Sequence, residues 1–374
     1  MNILGPVTPF LMEEFNLSYT TTSMHSTMIG LGIICTGLFG NIVIQRVGRW
    51  KALWLGAFGM SLGALLLVVG RTPAVTISAT FLMGSLGSLL LVLVPLILSD
   101  QYGPLMPVAY SEANFVASAV ITICPLLVAW FASRAGAPLG GWRMALLVAL
   151  IAPFLARLWF GKHSLPGAAG NQPGAPAGKE TSSSGPLPWK YWVYWAALVM
   201  AVSSEFCMIY WSADYLEKSL GFTKATAALS VSVFLGGMIL GRLIVSRLVQ
   251  RFPAKNVILL SLLFAGLGFA FFWRGLDAIP VLAGLFFAGL GIAGLYPLIH
   301  FLALDAGKRN ITLAAARNSL ASGVAILSLP LVLARLADLL GIRLAYGVMI
   351  LLLLGVFLII VAEYIPAQKQ VVPS

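Results

Sequence analysis

Charge is scarce in this sequence. Asp, Glu, Lys and Arg make up 9% of its 374 residues, against roughly 25% in an ordinary soluble domain, too few to cover a globular surface in water. Acids are the rarer sign: 12 Asp and Glu stand against 23 Lys and Arg, for a formal net charge of +11. The basic residues are dispersed between apolar runs, which excludes a nucleic-acid-binding face. Histidine and cysteine number 3 each. Cys35, Cys124 and Cys207 lie inside apolar runs with no paired spacing, which excludes a disulfide scaffold or zinc module and suits buried packing. No metal-ligand set, clustered His–Asp pair or phosphate loop stands at a helix end. No metal or cofactor is therefore expected, and a membrane-embedded transferase, the alternative of another class, lacks its machinery.

What the sequence has is apolar length. Hydrophobic residues make up 60% of the chain, with 38 glycines besides, and they fall in blocks long enough to cross a bilayer as helices. Eleven such blocks cover residues 20–45, 51–70, 73–99, 107–133, 142–160, 189–215, 226–249, 256–275, 278–302, 312–338 and 343–364. The run from Met1 to Met12 would reach only about 18 Å of a core roughly 30 Å thick, and it lacks the basic start and cleavage site of a secretory signal. It reads as the outer half of a first span whose cytoplasmic half is missing, as if the reading frame began too late. With that half-span counted, fifteen basic residues fall on the cytoplasmic side and eight outside, the bias expected of cytoplasmic loops.

Residues 161–188 differ in character, being rich in Gly, Pro, Ala and Ser. They read as a flexible linker spanning about 30 Å. The expected organisation is a transmembrane bundle over 1–160, a cytoplasmic linker over 161–188, a second bundle over 189–365 and a tail over 366–374.

The two halves resemble each other at an offset of about 200 residues. Gln45-Arg46-Val47-Gly48-Arg49-Trp50-Lys51 pairs with Gln250-Arg251-Phe252-Pro253-Ala254-Lys255, Pro95-Leu96-Ile97 with Pro297-Leu298-Ile299, and Asn114 and Pro125 with Asn318 and Pro330. A duplicated six-span unit follows, so the expected fold is an all-α polytopic membrane protein of two six-helix bundles, with the first span truncated. The loop after the second span resembles the most specific motif of the major facilitator superfamily through Arg46, Gly48, Arg49 and Lys51, departing from it at Asn41 and Gln45. Gly5-Pro6, Pro9 and Gly141-Trp142-Arg143 add to the resemblance, which covers essentially the whole chain.

That resemblance implies a secondary transporter in the cell (inner or plasma) membrane. It would work as a monomer by alternating access around a cavity between its bundles. Gln45, Arg46, Gly48, Arg49, Glu112, Arg247, Gln250 and Arg251 would form its cytoplasmic gate, with Glu112 facing Arg247 or Arg251. Gln45 cannot form the ion pair that the family's acid forms, so the latch should rest on weaker neutral hydrogen bonds, at about 1 kcal/mol.

Polar groups inside spans mark pathways. Most acids lie near helix ends, and Glu205 stands deepest, about 24 Å along a helix that starts at Trp189. Ser204, Glu205, Met208, Trp211, Ser212 and Tyr215 share one helical sector. Aromatic faces beside a carboxylate and hydroxyls suit a sugar or polyol. Glu205 with Trp211 and Tyr215, followed by Gly237-x-x-x-Gly241-Arg242, is similar to fucose-permease-like sugar transporters. The candidate solute-binding residues are Glu205, Trp211, Tyr215, Ser212, Asn114, Asn318 and Tyr296. Glu205 is the candidate proton-coupling residue, so protons join a small-molecule solute and the bilayer as expected partners. Export of amphiphilic drugs or metabolites on the same fold is the rival reading. His25 and His300, at helix ends, are expected to be solvated.

Overall fold

The computed structural model describes residues 3–102, 106–134, 141–160 and 186–363, and among them there is no strand. The expected 161–188 linker and 366–374 tail lie almost wholly outside these residues. The helices are α1 (Leu4–Phe15), α2 (Tyr19–Val47), α3 (Arg49–Val69), α4 (Pro73–Tyr102), α5 (Met106–Ala132), α6 (Gly141–Phe160), α7 (Trp189–Leu220), α8 (Lys224–Leu248), α9 (Ala254–Arg274), α10 (Ala278–Ile292), α11 (Leu295–Ala306), α12 (Ile311–Leu340), α13 (Ile342–Ala345) and α14 (Val348–Ala362). Ten helical stretches among the described residues are long and apolar enough to cross a membrane, α10 with α11 counting as one, and a shorter apolar stretch covers Val116–Ala132. The chain divides into two compact units, Met1–Glu180 and Thr181–Ser374.

Two apolar runs depart from the single helices expected of them. The run over 278–302 breaks at Ala293 and Gly294 into α10 and α11. The cause is Pro297: it has no N–H to give the Ala293 carbonyl, and its ring crowds that oxygen, so the chain opens three to four residues upstream of the proline. The last run is interrupted at Tyr346 and Gly347 between α13 and α14.

Within each unit the tightest helix crossings are built on glycine. In the first, a methyl added at Gly32 would come 2.4 Å from the Ser85 nitrogen on α4, and one at Gly84 would come 2.5 Å from the Ile29 carbonyl oxygen on α2. In the second, a methyl at Gly237 would meet the Phe286 oxygen at 2.2 Å, and one at Gly289 the Phe234 oxygen at 2.1 Å. Adding 205 to Ile29, Gly32 and Gly84 gives Phe234, Gly237 and Gly289. The same backbone contact therefore recurs at the same register, and small residues there let the helices approach without lipid between them.

The turns repeat at that offset as well. Ser18 accepts a hydrogen bond from the Thr21 N–H at 3.2 Å, and Thr223 from the Thr226 N–H at 3.2 Å, each capping the helix that follows. Asn16 and Gly221 both take positive φ, 48° and 69°, ending α1 and α7. The 12 residues of α1 thus correspond to residues 209–220 of α7.

The glycine crossings yield a first expected result. Gly237→Ala or Gly289→Ala should cost about 1–3 kcal/mol of stability through overpacking, read as a lowered melting temperature in detergent. Gly236→Ala, with nothing within 4 Å of the added carbon, should leave it unchanged.

Candidate functional site

The polar centre of the second unit is carried by α7, which packs on α8, α10, α11, α12, α13 and α14. It runs to Leu220 rather than ending near 215, so Glu205 has 16 helical residues before it and 15 after, which places it at mid-helix. Between 201 and 216 every residue is buried except Glu205 and Phe206.

Glu205 is paired. Its Oε1 lies 3.7 Å from Nη2 of Arg242 on α8, with side-chain exposures of 15% and 47%. Arg242 is one of the fifteen basic residues expected on the cytoplasmic side. It stands 18 residues from the start of α8, about 27 Å, level with Glu205 at about 22 Å from the end of α7. A lone charge at this depth is costly, and each of these two supplies the other's counter-ion.

The other members of that helical sector are used by their own bundle. Trp211 is 1% exposed and donates its indole N–H to the Pro330 carbonyl at 3.1 Å. Tyr215 is fully buried and donates its hydroxyl to the Trp273 carbonyl at 2.7 Å, within a cluster formed with Phe272 and Tyr346. Both rings, expected to present flat faces to a solute, are buried within their own unit in this structure. Their polar tips find carbonyls on α12 and α9, and their faces pack against neighbouring side chains. Ser212 is buried, with no hydrogen-bond partner for its hydroxyl among the described residues.

A second polar group links α7, α11 and α12. Tyr191 donates its hydroxyl to Asn318 Oδ1 at 2.8 Å and to the Ala314 carbonyl at 2.9 Å, while Asn318 Nδ2 lies 3.5 Å from His300 Nδ1. Asn318 is fully buried and ties helices together. Tyr296, 37% exposed, sets its ring 5.5 Å from His300. Asn114, its repeat partner on α5, has a side chain outside the described residues.

His25 departs from the solvated state expected of it. It is 2% exposed, with Nδ1 2.9 Å from the Thr22 carbonyl and Nε2 2.9 Å from the Thr76 hydroxyl. A histidine whose two ring nitrogens are both engaged joins α2 to α4. Asp214, placed by the sequence near a helix end, is wholly buried.

At the α2–α3 turn Gly48 has φ 87° and ψ 150°, outside the range other residues favour, and nothing lies within 4 Å of a carbon added there. Arg46 and Arg49 are exposed. Arg247, Gln250 and Arg251 are also exposed, and the Gln250 amide donates to the Ser246 carbonyl at 3.1 Å. The side chains of Gln45 and Glu112 lie outside the described residues.

One structural centre went unread in the sequence. Arg143 on α6 is 1% exposed and grips Glu14 of α1, with Nη2 to Oε1 at 2.6 Å and Nε to Oε2 at 3.3 Å. Its Nη1 also donates to the carbonyls of Leu67, Val68 and Gly70, the Leu67 and Gly70 contacts at 3.0 Å. One guanidinium therefore caps the end of α3 and holds α1. Gly141-Trp142-Arg143 was visible, but its acid lies 129 residues away with no pattern to connect them. In the second unit, Glu363 receives Lys190 at 2.6 Å, and its carbonyl receives Lys255 at 2.8 Å.

No curated protein matches the sequence closely enough to count as a relative. Among solved structures the chain is similar to a bacterial homolog of the human lysosomal transporter Spinster, inward-facing and unoccupied, at 13% identity and TM-score 0.72 over 100% of this chain and 95% of that one. It is similar to a D-xylose-proton symporter at 18% identity and TM-score 0.67, over 96% and 92%. It is also similar to the major facilitator superfamily transporter FucP, in the outward conformation, at 15% identity and TM-score 0.60, over 96% and 95%. The family model described as Major Facilitator Superfamily matches residues 1–215 and again 193–373, and on that match the chain belongs to the Major Facilitator Superfamily.

Proposed function

We propose that this multi-pass membrane protein is a secondary transporter that moves a small polar solute, a sugar or polyol, by alternating access, with protons as the coupling ion. The observation that carries the reading is the pairing of Glu205, at the middle of α7, with Arg242 of α8. A carboxylate with a counter-ion at 3.7 Å has two states at little cost: held by Arg242, or carrying a proton with the arginine released to other acceptors. Switching between them as the site opens to each side links solute movement to proton movement.

The fucose-permease-like branch is the finer reading favoured by Glu205 and the Gly237-x-x-x-Gly241-Arg242 segment. Trp211 and Tyr215 anchor α7 in this account. Tyr296, the most exposed of the candidate solute-binding residues among those described, is retained as a solute contact. Asn318 positions α12, and Asn114 is its repeat counterpart. The turn residues Arg46, Gly48 and Arg49, with Gln45, Glu112, Arg247, Gln250 and Arg251, serve the cytoplasmic gate. The protein acts as a monomer in the cell membrane.

Counterflow in proteoliposomes tests the reading. Vesicles preloaded with unlabelled D-xylose should transiently accumulate labelled D-xylose or a related neutral sugar or alditol. Flux of a hydrophobic cation such as tetraphenylphosphonium, with no sugar counterflow, would support drug export instead.

A further inference from the structure

The two units differ by one charge at the ends expected to face the cytoplasm. In the second, Lys255 lies in the first turn of α9 and Glu363 caps the end of α14. The Lys255 ammonium donates to the Glu363 carbonyl at 2.8 Å, and the Glu363 carboxylate takes Lys190 at 2.6 Å. The counterparts of α9 and α14 in the first unit are α3 and α6, which also pack together. Adding 205 to Lys51 gives Asn256, beside Lys255, and adding it to Arg157 gives Ala362, beside Glu363. A lysine therefore recurs where the helix begins, but an arginine stands where the acid would be. Neither α3 nor α6 contains an Asp or Glu, and neither Lys51 nor Arg157 has an acidic partner among the described residues.

The side chains around this end are arranged for a ligand with a charged head and an apolar body. Arg157 is exposed, with its guanidinium carbon 4.9 Å from the Trp54 ring centroid. Stacking on an indole holds the guanidinium plane and leaves the N–H groups on its edge available. Lys51, also exposed, lies one turn before Trp54 on the same face of α3. From Trp54 the rings continue into the span, to Phe58 at 5.7 Å and from Phe58 to Phe154 of α6 at 5.0 Å between centroids. Phe154 is 51% and Leu158 78% exposed, so apolar surface lies directly beside the cations.

We propose that this end of α3 and α6 is a binding site for an anionic phospholipid of the cytoplasmic leaflet. The lipid phosphate supplies the negative charge that Glu363 supplies in the second unit, accepting hydrogen bonds from the Arg157 fork and the Lys51 ammonium. An acyl chain lies along Phe154 and Leu158. A zwitterionic lipid brings its own cation to the same place and gains less, and free phosphate has the charge without the chain.

Native mass spectrometry of the full-length protein in detergent tests the site, with phosphatidylglycerol and phosphatidylcholine of identical acyl chains as probes. The first phosphatidylglycerol should bind about tenfold more tightly than phosphatidylcholine, and Arg157→Gln and Lys51→Gln should each weaken it about fivefold, as expected for one basic residue beside an anionic lipid. Arg71→Gln removes an exposed cation elsewhere in the same unit and should leave that affinity unchanged. Arg157→Glu restores the acid of the second unit and should reduce phosphatidylglycerol to the level of phosphatidylcholine. Because Lys51 and Arg157 are both exposed, these variants should keep the wild-type melting temperature without added lipid. Equal affinity of the wild type for the two lipids, an equal loss in Arg71→Gln, or full displacement of the lipid by millimolar inorganic phosphate would each overturn the proposal.

Discussion

Replacing Arg143 by methionine should lower the stability of the protein by about 3–5 kcal/mol, the range for removing one partner of a buried charge pair. The size follows from what the guanidinium holds. It is buried to 1% exposure, meets both oxygens of Glu14, and donates to three carbonyls at the end of α3. Methionine fills the volume but satisfies none of these acceptors. Lysine keeps the charge but cannot reproduce the planar fork, so Arg143→Lys should recover less than half of the loss. Glu14, with 30% side-chain exposure and Arg71 3.9 Å away, retains water and a second cation, so Glu14→Gln should cost less than Arg143→Met. The melting temperature in detergent ranks the three variants. A value for Arg143→Met within error of wild type would show that the fork does not hold the first unit together.

Glu205→Gln should abolish pH-driven accumulation of solute, bringing the internal concentration down to the external one, while counterflow exchange continues. Glutamine keeps the shape and hydrogen-bonding reach of the side chain but can neither release a proton nor neutralise Arg242. Arg242→Gln leaves the carboxylate at mid-helix without its cation and should impair folding or insertion more than Glu205→Gln does, because a lone acid at that depth has no counter-ion. The double variant Glu205→Gln/Arg242→Gln should recover expression while remaining uncoupled. If accumulation survives in Glu205→Gln, coupling lies elsewhere in the chain.

The helices were legible because a bilayer imposes one rule on every span: a helix of apolar residues, long enough to cross. Span positions therefore followed from hydropathy, whereas the break that divides the run over 278–302 into α10 and α11 was seen only in the structure. The duplicated design was legible from Gln45 and Gln250 or Pro125 and Pro330. Its physical basis, the glycine contacts at Gly32 and Gly237, needed the structure, because a glycine in sequence does not say which carbonyl it approaches.

The site was less legible. Helical periodicity placed Glu205, Trp211 and Tyr215 on one sector but could not say whether that sector faces a solute or the protein's own core. The carbonyls that Trp211 and Tyr215 meet, from Pro330 and Trp273, are distant in sequence and carry no side-chain signal. Arg242 was hidden by its neighbours, since its basic character made it look like a loop residue.

Proton movement in proteoliposomes tests the central claim most directly. Protein is reconstituted around a trapped pH dye, and neutral sugars and alditols, aldonates and hydrophobic cations are added one at a time to wild type and Glu205→Gln. The account predicts that a neutral sugar or alditol acidifies the lumen in the wild type and that Glu205→Gln abolishes the signal. Silence for every neutral sugar and alditol in protein shown to be folded, with a response to hydrophobic cations instead, would contradict it.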